Sequence, residues 1–157
     1  MKTQKALSIL ILLFSQAIYA APYAAGEQLA AFTLHDQYDK PGHINEQTRV
    51  ILFSRDKAGG DLLTSALSQM PDNYLSEHHI IFISDISKMP GLISKYMAIP
   101  SMRKRNYSIL LDRDGSNTEK FPDQDDAATQ IEIESLRITN IAHLSSSEEI
   151  KQALKLK

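Results

Sequence analysis

The stretch "RVILFSRDKAGGDLLTSAL", Arg49 to Leu67, decides the fold. Its first half, "RVILF", is an unbroken apolar run of strand length, and such runs belong to strands buried on both faces. The middle, "SRDKAGG", is short, polar and closed by two glycines, as a tight connection requires. The second half places Leu62, Leu63, Ala66, Leu67 and Met70 at helical spacing, and Pro71 ends that pattern. A buried strand passing through a short turn into a helix is a common seat for a reactive group. No nucleophilic thiol stands in this one.

Working outward, the same alternation repeats. "AFTLHDQ" reads as a strand, and "YDKPGHIN" as a turn with a short return strand, punctuated by Pro41 and Gly42. "IIFISD" is a second apolar strand, followed by a helix over "MPGLISKYMAI" that opens near Pro90. "YSILLDRDG" reads as a third core strand ending in a hairpin turn at Asp114 and Gly115, and "TQIEIES" and "RITNIAH" as two strands joined by a tight polar turn. The tail "SSSEEIKQALKLK" carries cap-forming serines, acids in its first turn and lysines at its end, the charge order the helix dipole favours. This order predicts an α/β fold, a mixed sheet with helices on both faces. The acidic run "DQDDAA" after Pro122 reads as a solvated loop.

The totals bound what such a fold can do. With 157 residues, 43% of them apolar, the chain supports one domain with a real core. A net charge of −2 and a pI near 6.2 give no general attraction to nucleic acid. Cysteine is absent, which removes disulfides, thiolate nucleophiles and thiolate metal ligands together. Residues 1–20 have a different character: "MKTQK" is a basic start, "ALSILILLFSQA" an apolar run too short for a comfortable membrane span, and "AIYA" a small-residue end. We expect a signal peptide over 1–20, cleaved after Ala20, and one domain over 21–157, exported to the periplasm without stable membrane insertion. No cysteine follows the apolar run to carry a lipid anchor.

The order of elements resembles the thioredoxin-like (redoxin) superfamily, and three stretches carry the resemblance. "GEQLAAFTLHDQYDKPGHINEQTRVILF" is similar to the opening of the peroxiredoxin and thiol-reductase branch, "SDISKMPGLISKYMAI" to the thioredoxin segment leading to its fourth strand, and "SILLDRDG" to that strand and its turn. The resemblance covers about Gly26 to Leu154 and implies a three-layer sandwich around a central mixed sheet. Counted from Phe53, the family's Cys-x-x-Cys motif falls on Ala58, Gly59, Gly60 and Asp61, so both sulfurs are missing. The cis-proline that faces the motif would fall near Asn106 or Tyr107, and neither is proline. The thiol chemistry that the family implies is therefore not expected here.

Other readings of the turn remain. Gly59 and Gly60 can serve simply as a tight connection, with Asp61 as the helix N-cap. Alternatively Arg55 and Lys57, at the end of the first central strand, join Arg103 in the "RKR" loop to bind a carboxylate or phosphate, with Lys104 and Arg105 beside it. Asp56 and Asp61 would cancel part of that field. Asp112 and Asp114 in "DRDG" lack the further oxygen ligands of a calcium loop. His78 and His79, as neighbours in an extended segment, point apart and would not share a metal. No HExxH, GxSxG or GxGxxG pattern occurs, so no metal site, hydrolase elbow or dinucleotide cofactor is expected. The expectation is an exported, cysteine-free protein that binds an envelope partner or a small anion. The competing classes are an oxidoreductase working through a bound cofactor or within a complex, and a purely structural envelope protein.

Overall fold

The computed structural model describes residues 21–155, so the leader assigned to residues 1–20 lies outside them. Seven strands form one mixed sheet: β1 (Phe32–Asp36), β2 (Pro41–Ile44), β3 (Val50–Ser54), β4 (Ile80–Asp85), β5 (Leu110–Asp112), β6 (Ala128–Glu134) and β7 (Arg137–Leu144), in the order β2-β1-β5-β4-β3-β6-β7. Strands β3, β4 and β5 are parallel; β1 and β6 flank them antiparallel. The helices are α1 (Lys57–Leu67), α2 (Tyr74–Glu77), α3 (Gly91–Ile93), α4 (Ile99–Met102) and α5 (Ser147–Ala153), with a π turn over Ser94–Ala98 joining α3 to α4.

Side chains alternate across the sheet as a pleat demands. Leu52, Phe82, Ile109 and Leu111 face one core, with Leu63, Ala66 and Leu67 of α1, Leu75 of α2 and Ile150 of α5. Ile51, Phe53, Ile83, Leu110 and Ile131 face the other. That second core is closed without a helix, by Leu29 and the ring of Phe121, which meets Tyr23, Phe32 and Phe53 edge-on. The expectation of helices on both faces is corrected here. Both parallel crossovers step the same way, from β3 to β4 and from β4 to β5, and right-handed crossovers that step one way lie on one face. The third layer is irregular chain.

Two further expectations change with the topology. "SILLDRDG" does not end in a hairpin, because β5 lies beside β4 and β1, while β6 is separated from it by two strands, on the far side of β3. The chain makes that journey through residues 113–127, where Asp112 accepts hydrogen bonds from the amides of Gly115 and Thr118 and from the Thr118 hydroxyl. The true hairpin joins β6 to β7, and its two turn residues, Ser135 and Leu136, both have positive φ, as a type I′ turn needs. The short helix α2 precedes His78 and His79, which are therefore not in extended chain; His78 stacks on Tyr74 at a centroid distance of 4.2 Å.

The helix after Pro90 is continuous but irregular, and Pro100 is the cause. Proline offers no amide hydrogen, and its ring presses on the carbonyl four residues back. The preceding turn opens instead, with the Ile99 amide donating to the carbonyl of Ser94, five residues earlier. Beyond it Ile99 and Met102 lean on the helical core, while none of the residues from Gly91 to Met102 is buried.

Candidate functional site

A cleft of about 500 Å³ opens on the helical face of the sheet. One wall is the start of α1, with Gly60, Asp61 and Thr64; the other is α3 to α4, with Met89, Ile93, Met97 and Met102. Phe82, Ser84, Ile86 and Ile109 make the floor. The geometry follows from the parallel strands: α1 leaves the carboxyl end of β3 and the segment to α3 leaves the carboxyl end of β4, so the two helices spread from adjacent strand ends.

The upper end of the cleft is a closed polar joint. Helix α1 begins at Lys57, and its N-cap is Asp56, whose carboxylate accepts the Gly59 amide at 2.7 Å with one oxygen and the Asp126 amide at 2.9 Å with the other. The N-cap assigned to Asp61 is thereby corrected: the helix starts five residues earlier, and Asp61 lies on its exposed side, ion-paired with Lys57 one turn back. Ala58, Gly59, Gly60 and Asp61 thus all sit within the first turns of α1. Gly59 is required by contact. A Cβ there would stand 2.3 Å from the Ala127 carbonyl oxygen, whereas one at Gly60 would meet only the Ser54 hydroxyl, at 3.5 Å.

The same contact identifies what faces the turn. It is Ala127 and Ala128, entering β6, and not Asn106 or Tyr107, which lead into β5 at the opposite end of the sheet. Asn106 donates there to the Met70 carbonyl and the Asp72 carboxylate. The facing segment contains no proline either.

Of the three basic residues expected to share an anion, Arg55 and Lys57 line the cleft and Arg103 does not. Arg55 is committed within the protein: Nη1 donates to Asp123 at 2.9 Å, Nη2 to the Thr118 carbonyl at 2.5 Å, and Nε lies 3.2 Å from buried Asp85, close enough to pair but off hydrogen-bond alignment. Its guanidinium also covers the Phe53 ring at 5.3 Å. Asp123, read from sequence as part of a solvated acidic loop, is one of its anchors. Lys57 is held by Asp61. Arg103 donates from Nε to the Gln37 carbonyl at 2.7 Å and does not line the cleft. The physical reason is strand direction, since a loop entering a parallel strand opens at the amino edge and Arg55 leaves at the carboxyl edge. Of the "RKR" loop only Arg105 reaches the cleft.

What the sequence reading missed is the other wall. Met89, Met97 and Met102 line the cleft, three of the chain's five methionines, with Ile93 between them. The signal was an apolar content in "MPGLISKYMAIPSM" larger than one buried helix face uses. Behind Thr64 lies Tyr107, buried, its hydroxyl without a hydrogen-bond partner and its pKa raised chiefly by that burial.

No family model and no curated protein matches the sequence. Solved structures do match in shape. The chain resembles peroxidoxin BcpB from Mycobacterium tuberculosis with a TM-score of 0.54 and 16% identity, over 84% of this chain and 94% of that one. It resembles the thioredoxin domain of a thiol-disulfide oxidoreductase from Bacteroides vulgatus with a TM-score of 0.54 and 11% identity, over 85% and 96%. A SCO1/SenC family lipoprotein from Bacillus anthracis matches at 0.50 and 11%, over 87% and 98%. The fold is therefore thioredoxin-like. Within it, this chain carries no cysteine at any position.

Proposed function

We propose that this chain is an exported thioredoxin-like binding protein of the cell envelope, without thiol redox activity, which holds a segment of a partner protein in the cleft between α1 and α3–α4. The observation that carries the reading is the contrast between the cleft's two ends. Where the family resemblance implies a reactive thiol pair, Ala58 and Asp61 stand in a helix start capped by Asp56, which accepts the Gly59 amide, and Asp61 is ion-paired with Lys57. Where a partner could lie, the wall is methionine-rich and open. Methionine is flexible and polarizable, and surfaces built from it adapt to varied apolar segments.

The placement in the envelope rests on the leader-like residues 1–20, with Ala21 as the expected first residue after cleavage. The lipoprotein nature of one structural relative agrees with it. Mass spectrometry of periplasmic material tests this directly; an intact amino terminus in the membrane fraction would overturn it.

The absence of native cysteine makes the cleft itself easy to probe. Thr64→Cys and Met97→Cys, one on each wall, should each form a discrete covalent adduct with a thiol-directed crosslinker in periplasmic extract. Asn140→Cys, exposed on edge strand β7, should not. Equal labelling at all three positions, or reduction of insulin disulfides by the wild-type chain, would defeat the reading.

A further inference from the structure

We propose that the outer side of the helix running through α3, the π turn and α4 is a docking surface for anionic lipid. Leu92 and Tyr96 do not line the cleft, whereas Ile93 and Met97 line it and are shared by the two surfaces. Four large apolar side chains stand on two successive turns of this helix: Leu92 is 74% exposed, Ile93 45%, Tyr96 65% and Met97 67%. Together they make up most of the large exposed apolar side chains among the described residues. The fold makes no use of them. The π turn adds a residue to its turn and rotates what precedes it by about 100° relative to Ile99 and Met102, which lean on the core.

The charge along the segment that carries this patch is of one sign, and at its far end Arg103 also lies near the Asp39 carboxylate. Lys88, Lys95, Arg103, Lys104 and Arg105 fall within the eighteen residues from Lys88 to Arg105, and no acidic residue does, in a chain whose net charge is −2. None of the five takes part in a salt bridge among the described residues. The acids across the cleft are already engaged: Asp56 as a cap, Asp61 with Lys57, and Asp85 with Arg55. An apolar stripe bordered by unpaired cations is the pattern of helices that lie in the plane of a lipid interface, apolar side chains among the acyl chains and ammonium groups among the phosphates. Lys95 fits this closely, its ammonium 5.3 Å from the Tyr96 ring centroid, so that both can reach the headgroup level from one turn.

A lipid surface suits the patch better than a second protein. A stable protein interface buries about 800 Å² on each side with matched shape. Four protruding side chains on a convex helix supply neither, but a fluid surface moulds to them. Among the described residues no helix is long and apolar enough to cross a membrane, so the attachment is peripheral and reversible.

The chain from Ala21 onward contains every described element, with both sheet faces covered, and is the form to test. Tryptophan is absent, so Tyr96→Trp installs a single fluorescent reporter in the patch. Its emission should shift to the blue, and the protein should float with vesicles of phosphatidylcholine and phosphatidylglycerol, but not with phosphatidylcholine alone. Each cation near such a surface contributes about fivefold to partitioning. Lys88→Glu, Lys95→Glu and Lys104→Glu together should lower it on the order of a hundredfold. Leu92→Ser should weaken it without changing the melting temperature. The proposal fails if anionic vesicles leave the protein unbound at low ionic strength, if neutral vesicles bind it equally, or if the triple variant binds undiminished. It fails also if sedimentation shows instead a self-association that Leu92→Ser abolishes, which would make the patch a protein interface.

Discussion

The two walls of the cleft are built on opposite principles. At the start of α1, nearly every donor and acceptor is spoken for: Arg55 joins β3 to Asp85 on β4 and to the loop at Asp123, Asp56 holds two amides, and Gly59 lies against the Ala127 carbonyl. Along α3–α4 nothing is buried, and large apolar side chains point outward. A joint of the first kind holds a fold together, while a surface of the second kind has uses outside it. The place where the family resemblance implies chemistry has become structural, and the opposite wall carries what is left for a partner.

The sharpest way to break this comparison is to remove Arg55. If it is a structural keystone, Arg55→Ala strands the Asp85 carboxylate, whose side chain is only 4% exposed, without its counter-charge. Losing one partner of a buried pair costs about 3–5 kcal/mol, a large part of a typical total stability of roughly 5–15 kcal/mol. Thermal unfolding should then fall on the order of 10 °C. If Arg55 instead serves a bound anion, the substitution should leave the melting temperature of the free protein nearly unchanged, and calorimetry will show it.

The adjacent glycines sharpen it further, because they differ in what surrounds them and not in sequence context. Gly59→Ala drives a Cβ into backbone and should destabilise by about 1–3 kcal/mol. Gly60→Ala meets ordinary contact and gains helix propensity, so it should stabilise by about 0.5–1 kcal/mol. Urea unfolding of the two variants should move in opposite directions. Two losses of equal size would mean that the turn is strained as a whole.

Next in size is the cap. Asp56→Ala should cost about 0.5–2 kcal/mol, since it frees the Gly59 and Asp126 amides together. Asp61→Ala removes an exposed ion pair with Lys57 and should cost about 0–1 kcal/mol. Chemical denaturation of the pair decides which aspartate starts the helix; the reverse order would return the N-cap to Asp61.

That last point shows where the sequence was legible and where it was not. The runs "RVILF" and "IIFISD" are strands because burial on both faces leaves a continuous apolar signature, and the spacing of Leu63, Ala66 and Leu67 is a helix signature. Both are local. The identity of the cap was ambiguous because two aspartates flank one turn, and only the approach of Asp126 singles out Asp56. The neighbour of the turn was misplaced for a non-local reason. "YSILLDRDG" and "TQIEIES" both read as strands, and which of them lies against β3 depends on strand direction, which no residue spacing records. The separation of Arg103 from Arg55 and Lys57 follows from that same error. The exposed wall was visible only as excess apolar content, since the helix read over "MPGLISKYMAI" continues past Pro100, which widens a turn within it.

The smallest effects should come from the exposed wall itself, and their smallness is the point. Leu92 and Tyr96, at 74% and 65% exposure, already meet solvent in the folded chain, so replacing either with serine removes little that folding had buried. Surface changes of this kind usually stay within about 0.5 kcal/mol. Ile99 directly follows the π segment but rests against the helical core, and Ile99→Ala should cost more, about 1–2 kcal/mol for a partly buried side chain. Guanidinium unfolding of Leu92→Ser, Tyr96→Ser and Ile99→Ala measures the three on one scale. Near-silence at 92 and 96 with a clear loss at 99 is the expected pattern, one helix with its stabilising contacts confined to one end. Losses of equal size at all three positions would mean that Leu92 and Tyr96 support the fold, and the contrast between the two walls would have to be given up.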